Sequence, residues 1–185
     1  KKVIILTILV NLMGAVALSQ SYFFTDLSQK AYFKNGVDEI LESPKGYMWV
    51  AGRLGLVRYC GNDNPKIYER KDGESLASFD VLEDSRGVVW LCTIEGLFYT
   101  KGNYLEKYQF NDSVTTNQRF RRIIEDHDNN LWVLSKKSLF QLRRNGHEFM
   151  VRRIKINFEL SEIIETSGRE IWVGTNAGIC VVEAD

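Results

Sequence analysis

The chain carries its four tryptophans at a nearly constant spacing, 41, 42 and 40 residues apart. Each tryptophan has a glutamate seven positions before it and a leucine or isoleucine seven positions after it. Three residue types that keep the same register four times mark an internal repeat, so the fold must be assembled from four similar units. The repeats are centred on Trp49, Trp90, Trp132 and Trp172.

The pattern inside one repeat predicts strands. Short apolar runs alternate with turn residues around each tryptophan, and no apolar stripe recurs at helical spacing. In the second copy Asp84–Gly87 has the composition of a tight turn. We therefore predict an all-β protein, a β-propeller in which four blades of antiparallel strands are visible, with four strands in a blade. The strands predicted in the second copy are Phe79–Glu83, Val88–Thr93, Leu97–Thr100 and Tyr104–Phe110.

The repeated positions have simple structural interpretations. Each tryptophan is expected to be buried between adjacent blades, which stabilises the fold by ~2–3 kcal/mol for each side chain. The third copy has Asn129 and Asn130 where other copies have glycine, and asparagine can adopt the same turn conformation. For the repeated glutamate we favour a structural hydrogen bond to a neighbouring blade over a set of four catalytic acids.

The two ends of the repeat region leave two architectures open. Tyr22–Thr25 is predicted to form a strand before the first repeat. The fourth repeat ends at Asp185, after its third predicted strand. An N-terminal strand could complete the last blade and remove two exposed sheet edges together. The chain is then a closed four-bladed ring; otherwise it is the first part of a larger ring.

The N-terminus has the layout of a secretory signal peptide. Lys1 and Lys2 precede the apolar run Val3–Leu18, and the small residues Ala17 and Ser19 define a cleavage site before Gln20. We predict a signal peptide over residues 1–19 and a propeller domain over residues 20–185, located in the periplasm or another extracytoplasmic space. The alternative is an uncleaved N-terminal anchor, although the run is short for a membrane span.

Composition excludes several function classes. The chain has 24 basic and 24 acidic residues and a formal net charge of zero, which argues against nucleic acid as a partner. Its three cysteines are too few and too scattered for a disulfide framework, and they lack the spacing of a metal site. No motif for a nucleophile, a phosphate group or zinc is present, so we predict no cofactor and no metal.

Candidate ligand-binding residues come from the loops that vary most between copies. In a four-stranded blade, the connection to the next blade and the loop between strands two and three emerge on the same face. Variable loops on a rigid scaffold are where binding usually occurs. The candidates on this face are Arg53, Glu95, Lys136, Lys137 and Asn176.

Two local motifs suggest chemistry but are better explained by the fold. Asp126–Asn130 is similar to the start of a calcium loop, yet it lacks the glycine at position six and the glutamate at position twelve. The adjacent carboxylates Glu83–Asp84 and Glu125–Asp126 could serve glycoside hydrolysis. Both motifs lie at repeat positions, so we predict turns and structural contacts.

The repeat resembles a known family. Val81–Leu97, Ile123–Leu139 and Ile163–Ile179 are similar to the signature Ile-x-Glu-Asp-x-x-Gly-x-Leu-Trp-Ile-Gly-Thr-x-x-Gly-Leu of the two-component regulator propeller repeat. The opening stretch from Phe24 to Tyr59 resembles the start of the sensor ectodomain of hybrid two-component systems of Bacteroidetes. The resemblance covers residues 22–185.

This resemblance implies a function for the larger protein. Members of the family are periplasmic sensors with two propellers, usually of seven blades each, followed by a β-sandwich, one membrane span and a cytoplasmic histidine kinase. Such sensors typically detect glycan fragments. The expected partners are therefore an oligosaccharide or other small ligand, further propeller and kinase regions of the same or a longer polypeptide, and a second copy in a homodimer.

Three hypotheses follow for the chain itself. The first is a non-catalytic, periplasmic, ligand-sensing propeller segment of a two-component sensor. The second is an exported propeller enzyme that acts on polysaccharide, which would need a cluster of acids or a histidine pocket. The third is an interaction scaffold without a small ligand.

Overall fold

In a computed structural model of the chain, the described residues are 26–27, 30, 33, 36–53, 55–61, 64–74, 76–111, 113–146 and 148–182. The predicted signal peptide, residues 1–19, and the predicted strand Tyr22–Thr25 lie outside these residues, so closure of the ring through that strand stays a prediction. Within the described part, no helix has both the length and the apolar character that crossing a membrane requires.

The described residues form fifteen strands and one short helix, in four consecutive groups that we number as blades 1 to 4. Blade 1 contains β1 (Val37–Glu42), β2 (Met48–Gly52), β3 (Gly55–Tyr59) and β4 (Lys66–Arg70). Blade 2 contains β5 (Ser78–Glu83), β6 (Val89–Thr93), β7 (Leu97–Lys101) and β8 (Tyr104–Lys107). Blade 3 contains β9 (Phe120–Glu125), β10 (Leu131–Ser135), β11 (Ser138–Asn145) and β12 (Glu148–Lys155). Blade 4 contains β13 (Leu160–Glu165), β14 (Ile171–Thr175) and β15 (Gly178–Val182).

Each blade is an antiparallel meander in which consecutive strands pair. The first strands of successive blades, β1, β5, β9 and β13, contact one another in that order, so they surround a common axis as the inner strands. This is the radial arrangement of a β-propeller. The prediction of an all-β propeller with four visible blades is confirmed, and blade 4 has three strands within the described residues.

The hydrophobic core lies between blades. Three clusters occupy the junctions between blades 1 and 2, blades 2 and 3, and blades 3 and 4. Trp49, Trp90 and Trp132 are only 4–5% exposed because each packs against the blade that follows it. Trp172, on blade 4, is less buried. The unit of packing is therefore the junction between two blades.

The first hairpin of each blade needs one residue in the left-handed region. Glycine fills this position in blades 1 and 2, where Gly46 has φ of 80° and Gly87 has φ of 77°. Asn129 fills it in blade 3 with φ of 61°, as the sequence predicted. Blade 4 uses Arg169 with φ of 68°, a residue type that tolerates this conformation poorly.

One predicted strand is too long. We expected the fourth strand of the second copy to extend to Phe110, but β8 ends at Lys107. The backbone of Phe110 is bonded instead to the Thr116 hydroxyl, which donates to its carbonyl oxygen and accepts from its N–H at 3.0 Å. Thr116 ends a one-turn helix, α1 (Ser113–Thr116), in the connection between blades 2 and 3.

Candidate functional site

The loops between strands two and three and the connections between blades lie together on one face, which we call the loop face. Backbone hydrogen bonds join the two kinds of loop: Leu76 donates to the Arg53 carbonyl at 3.2 Å, and Leu160 donates to the Lys136 carbonyl at 2.9 Å. The predicted grouping of these loops is therefore confirmed. The loop face, which carries the five candidate residues, is held by backbone bonds that do not depend on side-chain identity.

Between blades 1 and 2, the candidate Glu95 is held by an arginine. The Arg70 guanidinium donates to Glu95 at 2.6 Å and to both oxygens of Asp72. It also lies 5.5 Å from the centre of the Phe98 ring. Asp72 and then Glu95 raise the pKa of Arg70 above its ordinary value. The nearby candidate Arg53 has an exposed side chain.

Between blades 3 and 4, the structure brings three of the candidates together around Glu159. The Lys136 ammonium lies 2.6 Å from the Glu159 carboxylate and holds its pKa below the ordinary value. The Asn176 side-chain oxygen accepts a hydrogen bond from the Glu159 backbone N–H at 3.1 Å. Lys137 accepts a bond through its carbonyl and leaves its side chain exposed. A binding role for these residues stays a prediction.

The inner strands carry a row of charged residues that was not among the predicted site residues. Its members share one repeat position, three residues before the repeated glutamate, and each inner strand has a register shift beside that position. The Arg122 Nε donates to Glu162 on the next inner strand, at 3.0 and 3.1 Å from its two oxygens. Aligning the four copies would have found the row. It consists of Glu39, Asp80, Arg122 and Glu162.

In this row, the carboxyl of Asp80 is largely buried and has a raised pKa. Burial raises its pKa to about 6, against the opposing effects of backbone hydrogen bonds and of Arg122. Its oxygens accept from the backbone N–H of Val81 at 2.9 Å and of Ile123, in the next blade, at 2.8 Å. The inner strands therefore carry a carboxyl whose pKa is about 6.

The repeated glutamates join each blade to the preceding one. Glu83 accepts from the indole N–H of Trp49 at 2.8 Å. Glu125 accepts from the backbone N–H and the hydroxyl of Ser85, both at 2.7 Å. Glu165 accepts from the backbone N–H of His127 at 3.0 Å. The predicted hydrogen bond to a neighbouring blade is confirmed.

The calcium-like segment is a hairpin turn. Asp126 accepts from the backbone N–H of Asp128 at 3.0 Å and of Asn130 at 2.8 Å through one oxygen. Its other oxygen accepts from the Trp132 indole at 2.8 Å. The carboxylate is thus committed to the turn and the tryptophan. Within the described part of the chain, no cluster of three potential metal ligands occurs.

Comparison with known proteins gives structural likenesses without sequence matches. No protein-family model matches the chain, and no curated protein sequence matches it either. One similar structure is described as the extracellular domain of the hybrid two-component system BT3049 from B. thetaiotaomicron, with 19% identity and a TM-score of 0.68. The likeness covers 89% of this chain and 24% of that domain.

Two further structures extend the comparison. The extracellular domain described for the hybrid two-component system BT4673 from B. thetaiotaomicron is 18% identical, with a TM-score of 0.63, and the likeness covers 81% of this chain and 21% of that domain. The virginiamycin B lyase from Staphylococcus aureus is 16% identical, with a TM-score of 0.61, and the likeness covers 81% of this chain and 56% of the lyase. The chain thus spans less than a quarter of the length of the two extracellular domains.

At these identities the likenesses establish the fold. The same four-blade segment fits both extracellular domains of two-component systems and a lyase, so fold alone does not select a function. Together with the strand order, the likenesses identify the chain as a β-propeller segment and confirm, at the level of the fold, its resemblance to the sensor ectodomains of hybrid two-component systems.

Proposed function

We propose that this chain is a periplasmic, ligand-sensing propeller segment of a two-component sensor and that it recognises glycan fragments without catalysing a reaction. The observation that carries the proposal is the likeness of all four blades to extracellular domains described for two-component systems. The loop face adds support, because loops of different blades are bonded there into one surface.

The location and the partners belong to the same proposal. The charge and length of the N-terminal segment support export, and the balanced net charge argues against nucleic acid. A sensor of this kind transmits occupancy to further propeller and kinase regions of the same or a longer polypeptide, or to a second copy of itself.

Exposed apolar residues on the two end blades support the proposal that the partners include further propeller blades. Ile40 on blade 1 is 55% exposed, whereas Val81, at the same repeat position in blade 2, is 5% exposed. Ile179 on blade 4 is 68% exposed, whereas Leu97 and Leu139, its equivalents in blades 2 and 3, are fully buried. Among the described residues, the outward sides of blades 1 and 4 therefore carry the two halves of an interface like those that are filled at the interior junctions.

A thermal-shift screen with oligosaccharides tests the sensing proposal. A ligand present at 100 times its Kd should raise the free energy of unfolding by about 2.7 kcal/mol. Arg53→Ala and Lys137→Ala remove only exposed side chains of the loop face. The unfolding temperature of the ligand-free protein should therefore be unchanged in both variants. A panel that produces no shift, together with capture of a protein partner, would favour the scaffold hypothesis.

The enzyme hypothesis is kept because of the likeness to the lyase. On the loop face the carboxylates Glu95 and Glu159 are held by Arg70 and Lys136, so neither is placed as a free general acid or base. A turnover assay on polysaccharides separates the two functions. Product formation that disappears in Glu159→Gln, with binding retained, would replace the sensor proposal by an enzyme.

A further inference from the structure

A cleft of about 470 Å³ opens between blades 2 and 3, away from the loop face. We call it the rim cleft, and its walls include Trp90, Tyr99, Tyr108 and Phe149. It lies beside the hairpin turn of blade 2 that contains Arg86, whose guanidinium donates to the Gly146 carbonyl of blade 3 at 3.2 Å. Its volume is within the range of about 300–1,000 Å³ that is typical of small-molecule pockets.

The rim cleft exists because the outer strands of blades 2 and 3 stay apart. At the junction of blades 1 and 2, β4 and β8 pair in parallel and join the two blades into one eight-stranded sheet. At the next junction β12 pairs with β11 and does not pair with β8. Without a strand pair across this junction, Tyr99, Tyr108 and Phe149 stay partly exposed.

The aromatic walls are held in place by one another. The Trp90 ring lies 5.3 Å from Tyr99, 5.8 Å from Tyr108 and 5.7 Å from Phe149, measured between ring centres. Trp90 is buried, and the other three are partly exposed towards the cleft. Ring pairs at these distances are mutually stabilising, so the apolar surface is formed before any ligand arrives.

Polar groups of two kinds face the same cleft. Arg144, whose side chain is 11% exposed, is fixed by bonds to Asp84 at 2.8 Å, to Glu125 at 3.3 Å and to the Asn129 carbonyl at 2.7 Å. It also lies 5.0 Å from the centre of the Phe149 ring. The guanidinium is therefore a rigid part of the cleft floor.

The second kind of polar group has donors and acceptors that are not used in hydrogen bonds among the described residues. Asn111 and Glu148 are exposed at the mouth of the cleft. Among the described residues, neither side chain makes a hydrogen bond, and the Tyr108 hydroxyl makes none. An amide, a carboxylate and a phenol beside an aromatic wall provide both donors and acceptors for a polyhydroxylated ligand.

One aromatic wall of the rim cleft, Tyr99, is specific to this junction, whereas a tyrosine equivalent to Tyr108 also packs on the tryptophan of blade 1, where Tyr68 lies 5.5 Å from Trp49 between ring centres. Tyr99 lies nine residues after Trp90, and the same position holds Arg58 in the first copy and Gln141 in the third. The corresponding cleft between blades 3 and 4 is lined by Gln141, Arg143 and Arg152 instead. A side chain required only for packing the propeller would recur at each junction. Tyr99 does not recur, so propeller packing alone does not explain its presence in the rim cleft.

We propose that the rim cleft binds an uncharged pyranose unit of an oligosaccharide. The apolar C–H face of the sugar ring packs on Tyr99, Tyr108 and Phe149, and its hydroxyl groups bond to Asn111, Glu148 and Arg144. Among the described residues that line the cleft the charges balance, with Arg86 and Arg144 against Asp84 and Glu148, which favours a neutral sugar over an acidic one. This inference rests on the proposed glycan sensing and assigns it to a site other than the loop face.

Calorimetric titration of the chain with cello-, malto- and xylo-oligosaccharides tests this site, with an oligogalacturonide as the acidic comparison. Tyr99→Gln introduces the residue that blade 3 accommodates at the same position, so the variant should fold; it should bind the preferred neutral sugar at least tenfold more weakly. Asn111→Ala, at an exposed position, should weaken binding several-fold. Gln141→Ala in the corresponding cleft is the matched control and should bind normally, whereas Lys137→Ala, at a candidate residue of the loop face, tests the competing site.

Each other outcome overturns a defined part of the inference. Unchanged affinity in Tyr99→Gln and Asn111→Ala, with a loss in Lys137→Ala, would leave glycan sensing intact and remove the rim cleft from it. Tighter binding of the oligogalacturonide would overturn the assignment to a neutral sugar. If the unaltered chain binds no member of the panel, the glycan-sensing proposal itself fails.

Discussion

At the scale of single residues, the first hairpin of blade 4 contains a backbone conformation that its side chain disfavours. Arg169 has φ of 68°, where glycine is favoured and where blades 1 and 2 have Gly46 and Gly87. We expect Arg169→Gly to raise the free energy of unfolding by about 1 kcal/mol, because the Cβ clash of the left-handed conformation disappears. Urea denaturation measures the change.

Asn129 provides the matched control for this substitution. It occupies the same hairpin position in blade 3 with φ of 61°, but asparagine tolerates the left-handed region better than arginine does. Asn129→Gly should therefore change stability by less than about 0.5 kcal/mol. Equal effects of the two substitutions would show that strain at Arg169 is not the cause.

The buried carboxyl of Asp80 predicts how stability depends on pH. Its pKa is 3.8 in the unfolded chain and about 6 in the fold, so the folded state binds the proton more tightly. The contribution of this group to stability is complete below pH 4 and is lost as the pH rises through 6; the full loss is on the order of 2–3 kcal/mol. Chemical denaturation of the unaltered protein and of Asp80→Asn, across pH 4 to 8, isolates the effect as a difference. If the free energies of unfolding of the two proteins change with pH in parallel, the prediction is contradicted.

At the scale of elements, the acceptor for the tryptophan indole in blades 1 to 3 changes with the residue that starts the first hairpin. Trp90 and Trp132 donate their indole N–H to Asp84 and Asp126 in their own blades. The first copy has serine at this position, and Trp49 donates to Glu83 of the following blade. One repeated side chain is thus satisfied within a blade or across a junction, depending on a single neighbouring residue.

The repeated glutamate should matter only where a preceding blade is present. Glu125→Ala removes the acceptor for the backbone N–H and hydroxyl of Ser85 and one partner of Arg144, so we expect a loss of about 1–3 kcal/mol of stability. Glu42 is the matched control, because it is exposed and has no hydrogen-bonding partner among the described residues. Glu42→Ala should change stability by less than about 0.5 kcal/mol in the same urea titration. Equal losses would mean that the cross-blade bonds are not the source.

At the scale of the whole molecule, the apolar sides of the end blades predict association between copies. We expect the chain to self-associate as its concentration rises, because Ile40 and Ile179 are exposed where interior blades bury their equivalents. Ile179→Lys should weaken this association, which sedimentation velocity measures. Ile94→Lys is the control, since Ile94 is also exposed but lies on the loop face. A monomer at every concentration would refute the prediction.

The sequence by itself determined the strand structure of one blade and the number of repeats in the chain. Strand and turn identity depend on local alternation and on residues such as Asp84 and Gly87, and both are legible in a single repeat. The tryptophan and the glutamate keep one register in every copy, as Trp90 and Glu83 do in the second. From that register we predicted a tryptophan buried between blades and a glutamate bonded to a neighbouring blade. The loop face followed in the same way, because alternating strands send alternate loops to the same side.

Only the tertiary structure decided which side chains meet. Arg144 and Asp84 are 60 positions apart, and their contact depends on how blade 3 approaches blade 2. The pairing of Glu95 with Arg70 and the opening of the rim cleft depend on loop paths and on whether the outer strands of adjacent blades pair. Those features arise from the packing of variable segments between blades, and one copy of the repeat carries no information about the segment that packs against it.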